Sequence, residues 1–254
     1  MRPPNPRDCL PDGVTPFERF EQKVTIFVQY LGVFGISTNT LLRRALRVLG
    51  DDFPRKMLKR GYAISHRIQG TSFVLYALST EGRQLAELYL GRKLGSPRRL
   101  DKVSSLMLSH DLSTQATLLE SLDAMAKRTG SQVDLGEFLR YARESRDLTS
   151  IDPWARPDLL YVDPHSGAAY ALEYERSQKG HEELKGKLAR TLRASSSYRR
   201  LTVEFAIAGG QRVADRYRRV WDEVLEEASQ DGIRLEDLRV SCSFRPTKHF
   251  PGIR

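Results

Sequence analysis

The chain has 254 residues, enough for two domains of ordinary size, each able to bury a core. Lys and Arg total 41 against 32 Asp and Glu, a formal charge of +9, which favours a polyanionic partner and leaves the fold open. No stretch approaches the roughly 18 consecutive apolar residues of a membrane span. The start Met1-Arg2-Pro3-Pro4-Asn5-Pro6 has no apolar core of a secretory signal, and Cys9 and Cys242 make neither a zinc-ligand set nor a disulfide framework. A reduced, cytoplasmic setting is therefore expected.

Residues 1–16 are Pro-rich and read as a flexible arm. From Phe17 to Leu31, Phe20, Val24, Phe27, Val28 and Leu31 recur at helical spacing. The capping stretch Ile36-Ser37-Thr38-Asn39-Thr40 leads into a second helix, and a short third helix from Phe53 to Arg60 stops at Gly61. Tyr62–Ile68 and Ser72–Leu78 read as strands joined by Gln69-Gly70-Thr71, and Ser79-Thr80-Glu81-Gly82 caps a helix to about Leu90. Three helices, a two-stranded wing and a closing helix resemble a winged helix-turn-helix over residues 17–95. Its exposed basic set would be Arg55, Lys56, Lys59 and Arg60, with His66 and Arg67 on the wing, placed for phosphate contact. Winged helices that serve only protein contacts are the alternative.

Gly91 to Lys102 is basic and contains Gly and Pro, a linker composition. A second unit spans 103–254. It reads as a helix over Leu108–Lys127, a strand over Glu137–Glu144, and strands Leu159–Asp163 and Ala169–Ser177 joined by Pro164-His165-Ser166-Gly167. A polar helix from His181, a strand Leu201–Ala208, a helix Gln211–Ala228 and a last strand Leu238–Phe244 complete it. The order α-β-β-β-α-β-α-β predicts a mixed central sheet flanked by helices, an α/β unit in a chain that is α+β overall.

Within this unit, Pro157-Asp158 precedes Glu173-Tyr174-Glu175-Arg176-Ser177-Gln178-Lys179, Glu173 falling fifteen positions after Asp158. Strand side chains alternate, so Glu173, Glu175, Ser177 and, in a strand that long, Lys179 share a face. Two carboxylates and an ammonium are costly on a buried face unless they bind something charged. Asp158 meets Glu173 if the two strands pair across the turn, and Glu175 lies about 7 Å further along. Mg²⁺ and Mn²⁺ take oxygen ligands of this kind. Such a cation lowers the pKa of a bound water and stabilises charge on a scissile phosphate. Lys179 adds a positive group.

His110 opens the first helix of the unit and shares a face with Ser113 or Thr114, Thr117 and Ser121, either toward a site or as a surface histidine. The alternative for the acidic cluster is the solvent face of an edge strand. Lys185 and Lys187, with His181, Arg190 and Arg193, form either a DNA-backbone contact or an ordinary solvated helix face. Tyr141, Tyr161, Tyr170, Tyr174 and Tyr198 have no context that marks a nucleophile, and Tyr174, opposite Glu173, is expected in the core.

Pro-Asp, a turn, then Glu-x-Glu with a nearby Lys resembles the PD-(D/E)XK restriction-endonuclease-like superfamily, with Glu173-Tyr174-Glu175 where that family has Glu-x-Lys. A winged helix followed by Leu108-Ser109-His110-Asp111-Leu112 and then Leu172 to Lys179 resembles the plasmid replication-relaxation proteins, most of all the MobC-type mobilisation relaxases. That resemblance implies metal-dependent nicking of one strand at a plasmid transfer origin during conjugation. It implies Mg²⁺ or Mn²⁺ held by Asp158, Glu173, Glu175 and His110, with Lys179 completing the catalytic set. Implied partners are double-stranded plasmid DNA and an accessory mobilisation or coupling protein. The alternative is a non-enzymatic winged-helix regulator of plasmid replication or transfer whose nuclease-like domain is degenerate.

Overall fold

The computed structural model describes residues 14–48, 52–68, 73–97, 100–101, 103–131, 133–144, 157–176 and 179–250. The expected arm, the wing turn Gln69-Gly70-Thr71 and Ser177 therefore fall outside the described residues, wholly or nearly so. The chain divides into two compact units, Met1–Leu94 and Gly95–Arg254.

In the first unit, helix α1 (Pro16–Phe34) starts on a capping box, Thr15 and Glu18 each satisfying the other's backbone N–H, and stops at Gly35 with φ 74°. Its C-terminal half is buried almost all round, through Phe27, Val28, Leu31 and Phe34. Strand β1 (Ser37–Thr38), helices α2 (Asn39–Leu46) and α3 (Asp52–Lys59), strands β2 (Ala63–Arg67) and β3 (Val74–Leu78) and helix α4 (Thr80–Leu90) follow. The sheet runs β1-β3-β2, antiparallel throughout, with Ala63 opposite Leu78 and Ser37 opposite Tyr76. This is the winged helix-turn-helix arrangement.

The turn from β3 into α4 depends on Gly82. A methyl group there would sit 1.9 Å from the Tyr62 carbonyl oxygen, and backbone cannot yield as a side chain can. Gly82→Ala is expected to destabilise the first unit by about 1–3 kcal/mol, the scale of overpacking. Both tryptophans, Trp154 and Trp221, lie in the second unit. The loss is therefore expected as an earlier urea transition in far-UV circular dichroism with the tryptophan transition unmoved; coincident wild-type curves would refute it.

In the second unit, helix α5 (Ser105–Thr129) is followed by α6 (Leu135–Tyr141), β4 (Ala142–Glu144), β5 (Leu159–Val162) and β6 (Ala168–Glu175). Then come α7 (His181–Ala194), β7 (Arg200–Ala208), α8 (Gln211–Gln230) and β8 (Val240–Thr247). One expectation needs correction: most of Glu137–Glu144 is helix rather than strand. Asp134 caps α6 by accepting the Glu137 N–H, and only Ala142–Glu144 pair with β5.

The sheet order is β4-β5-β6-β7-β8, antiparallel through β6 and parallel from β6 to β8, where α7 and α8 supply the crossovers. One face packs on α7 and α8. Ala169 and Ala171 of β6 lie small beneath Leu184, Leu188 and Leu192 of α7, with Val203, Phe205, Tyr217 and Phe244 filling the centre. Two residues on, the same face of β6 changes from alanine to Glu173 and Glu175, both 4 % exposed. Burying two carboxylates where the core ends is costly, so their partners decide what the unit can do.

Candidate active site

Three strand and helix ends meet around those carboxylates. Asp158 stands one residue before β5, and the register Leu159↔Leu172 sets it across from Glu173. Its Oδ2 accepts the Tyr174 N–H at 2.7 Å, a bond that β5, starting only at Leu159, does not supply from its backbone. The expected approach of Asp158 to Glu173 is thus present. The strand stops at Glu175, so the extended run to Lys179 is not: Lys179 lies beyond it and donates to Glu175 Oε2 at 2.7 Å.

The ammonium between the acids comes from α7. Lys187 Nζ donates to Glu173 Oε2 at 2.9 Å and to Glu175 Oε1 at 2.5 Å, and it sits 5.7 Å from the centroid of the Phe205 ring. It is turned inward, its side chain only 12 % exposed. This corrects the reading of Lys187 as a DNA-backbone contact. Lys185, one turn face away, pairs with Glu227 of α8 instead. Helical spacing held the signal: Lys187 lies three residues after Leu184 and four before Thr191, both fully buried, whereas Lys185 does not.

The charges are uneven. Burial pushes Glu173 up to about 8, against the pull of Lys187 and with added repulsion from Asp158. Asp158 rises to about 7, again through burial, although the Tyr174 N–H and Lys187 oppose it. Glu175 ends below the ordinary carboxylate range because Lys187 and Lys179 together outweigh its burial. Lys187, between two acids, is held above its usual value despite burial. Of the four oxygens of Glu173 and Glu175, only Glu173 Oε1 is buried and unpartnered among the described residues.

On the other side of Asp158, His110 Nε2 lies 3.5 Å from Oδ2, so the structure brings this histidine to the site. Its ring meets Tyr174 edge-on. Tyr174 is 3 % exposed, with its hydroxyl 2.5 Å from His249 Nδ1, which holds the ring in the core rather than offering it as a nucleophile. His249, 75 residues away in sequence, gave no sign of this contact. The segment that carries it is fastened by the Phe250 N–H donating to Ser113 of α5.

Among the described residues, no group of three or more His, Cys, Asp or Glu is arranged to hold a metal ion. The expected four-residue cage of Asp158, Glu173, Glu175 and His110 is not formed, since lysines engage both oxygens of Glu175. Glu173 Oε1, buried and unpartnered, and Asp158 across the strand pair are what the cluster leaves outside the lysine hydrogen bonds among the described residues.

In the first unit, Phe53, Pro54 and Met57 face inward from α3 and leave Arg55, Lys56, Lys59 and Arg60 exposed, with His66 and Arg67 exposed on β2. The Arg60 guanidinium lies 4.5 Å from the Phe20 ring centroid, so it is partly engaged within its own unit. Among the described residues no helix is long and apolar enough to cross a membrane. Comparison of the chain with known protein families, curated proteins and solved structures found no match.

Proposed function

We propose that this chain is a DNA-processing protein: the winged helix engages duplex DNA and the second unit cuts one strand with the help of Mg²⁺ or Mn²⁺. The observation that supports this most is Glu173, a buried carboxylate with one oxygen unpartnered, across a strand pair from Asp158 and beside a buried lysine. A bound divalent cation would supply charge to the scissile phosphate and acidify a water. Asp158 and Glu173 would hold it from two strand ends. Lys187, kept protonated by its neighbours, would meet the negative charge that builds on the phosphate. His110, beside Asp158, would orient that carboxylate. Arg55, Lys56, Lys59 and Arg67 would contact phosphates of the duplex.

The narrower form of the reading rests on the resemblance to MobC-type relaxases: nicking at a plasmid transfer origin, in the cytoplasm, alongside an accessory mobilisation or coupling protein. A second reading is favoured by one observation. Lys187 and Lys179 already satisfy three of the four carboxylate oxygens of Glu173 and Glu175, which suits a non-enzymatic DNA-binding regulator with a nuclease-like contact platform.

Supercoiled plasmid with a transfer origin, incubated with the protein and Mg²⁺ or Mn²⁺, separates the two. Open-circle product is expected with the wild type, none with chelator, and at least about 100-fold less with Asp158→Asn, the scale for one lost stabilising charge. Equal nicking by the variant would misassign the site. DNA binding without nicking by either protein would favour the regulator.

A further inference from the structure

The face of the second sheet turned away from Lys187 carries a cavity of about 600 Å³ between β5–β8, α6 and the C-terminal half of α5. The apolar stripe of α5 explains it. Leu112, Leu118 and Leu119 are buried, but Leu122 and Met125 continue the stripe past the core and line the cavity, Met125 being 38 % exposed. Phe138 and Tyr161 form a second, flat wall, stacked with ring centroids 4.6 Å apart. The floor is polar and braced: Glu204 accepts from Tyr170 and Ser121, both at 2.8 Å, and from Arg245 Nε at 2.9 Å. A volume of this size with apolar walls and a few fixed polar groups is what a small-molecule site requires.

We propose that this cavity binds a small organic cation with a flat apolar body. Charge selects the cation. Glu120, Asp134, Glu137 and Glu204 line the cavity against Arg128 and Arg245, an acidic excess in a chain of net charge +9. Arg245 is already committed to Glu204 and Glu120. An anionic ligand would face the remaining carboxylates, whereas an ammonium is drawn to them. The aromatic wall selects the body: a planar ring extends the Phe138–Tyr161 stack and can place its cation toward the rim at Glu137. Glu173 and Lys187 lie on the opposite face of the sheet, so the cavity is separate from the candidate active site.

Calorimetric titration of the full chain with tryptamine, and with indole-3-propionate as a ligand of similar shape and opposite charge, tests this. Tryptamine is expected to bind saturably and at least about tenfold more tightly than the propionate. Ala124→Phe, an exposed helix position at the cavity, should abolish binding by filling the space, and Glu137→Lys at the exposed rim should weaken tryptamine about tenfold. The proposal is overturned if neither compound binds, if the propionate binds as well or better, or if both folded variants bind tryptamine like the wild type. Should Ala124→Phe fail to fold, Glu137→Lys alone decides.

Discussion

Replacing Lys187 by Met is expected to destabilise the second unit by about 3–5 kcal/mol near pH 8.5, the range for stripping one partner from a buried ion pair. Lys187 is the shared partner of Glu173 and Glu175, both 4 % exposed, and Met keeps the length of the side chain while removing its charge. The deficit should depend on pH in a defined sense. In the wild type, Glu175 sits below its ordinary value, so it contributes stability above about pH 4.5 that is lost as pH falls through its folded value. Without Lys187 only Lys179 is left to oppose the burial of Glu175, so that contribution shrinks. Glu173, already raised to about 8 by burial, loses the attraction that opposes the rise. A raised carboxylate gives stability present below its unfolded value and lost as pH rises. The deficit should therefore be smaller near pH 5, where Glu175 is already ionised but Glu173 is not, and largest near pH 8.5. Urea unfolding followed by the buried Trp221 reads this unit directly. A deficit that is equal at both pH values would mean that Met fails to pack and that charge is not the cause.

Lys187 also marks where sequence reasoning reached its limit. The alternation Ala169, Ala171, Glu173, Glu175 was legible because strand period and composition agree on one face, and the turn after Asp163 fixed the register that brings Asp158 to Glu173. The winged helix was legible for a similar reason: caps at Thr38 and Ser79 and two short strands, the second of them apolar, are local signals. Nearness in sequence pointed to Lys179, which does reach Glu175, and gave no sign of Lys187, because the strand ends at Glu175 and the next helix returns across the sheet. That return places Lys187, 12 and 14 residues from its partners, into the gap. The 137–144 segment failed for the opposite reason. Its apolar positions fit a strand, and the cap at Asp134 that makes a helix lies just before it. His249 and the cavity beneath α5 depend on contacts between distant elements, which no local pattern encodes.

Glu173→Gln should separate stability from chemistry. Gln matches the shape of Glu, and Lys187 would keep Glu175 as its charged partner. Removing a buried anion relieves its desolvation, while losing one of two attractions to Lys187 acts the other way. The net change in stability near pH 8.5 is expected to stay within about 1 kcal/mol. On the proposed function, strand cleavage would by contrast fall by roughly 10³-fold, because the unpartnered Oε1 would be a ligand of the cation and an amide carries no charge to hold it with. Glu175→Gln supplies the opposing case. Both its oxygens accept from lysines, so it should cost about 3 kcal/mol or more while serving the cation less directly. Unfolding and plasmid nicking measured on the same preparations give the pattern: one variant stable and inactive, the other weakened throughout. If Glu173→Gln instead unfolds early and nicks at wild-type rate per folded molecule, Glu173 is a structural counter-ion to Lys187, and the cation must be sought elsewhere.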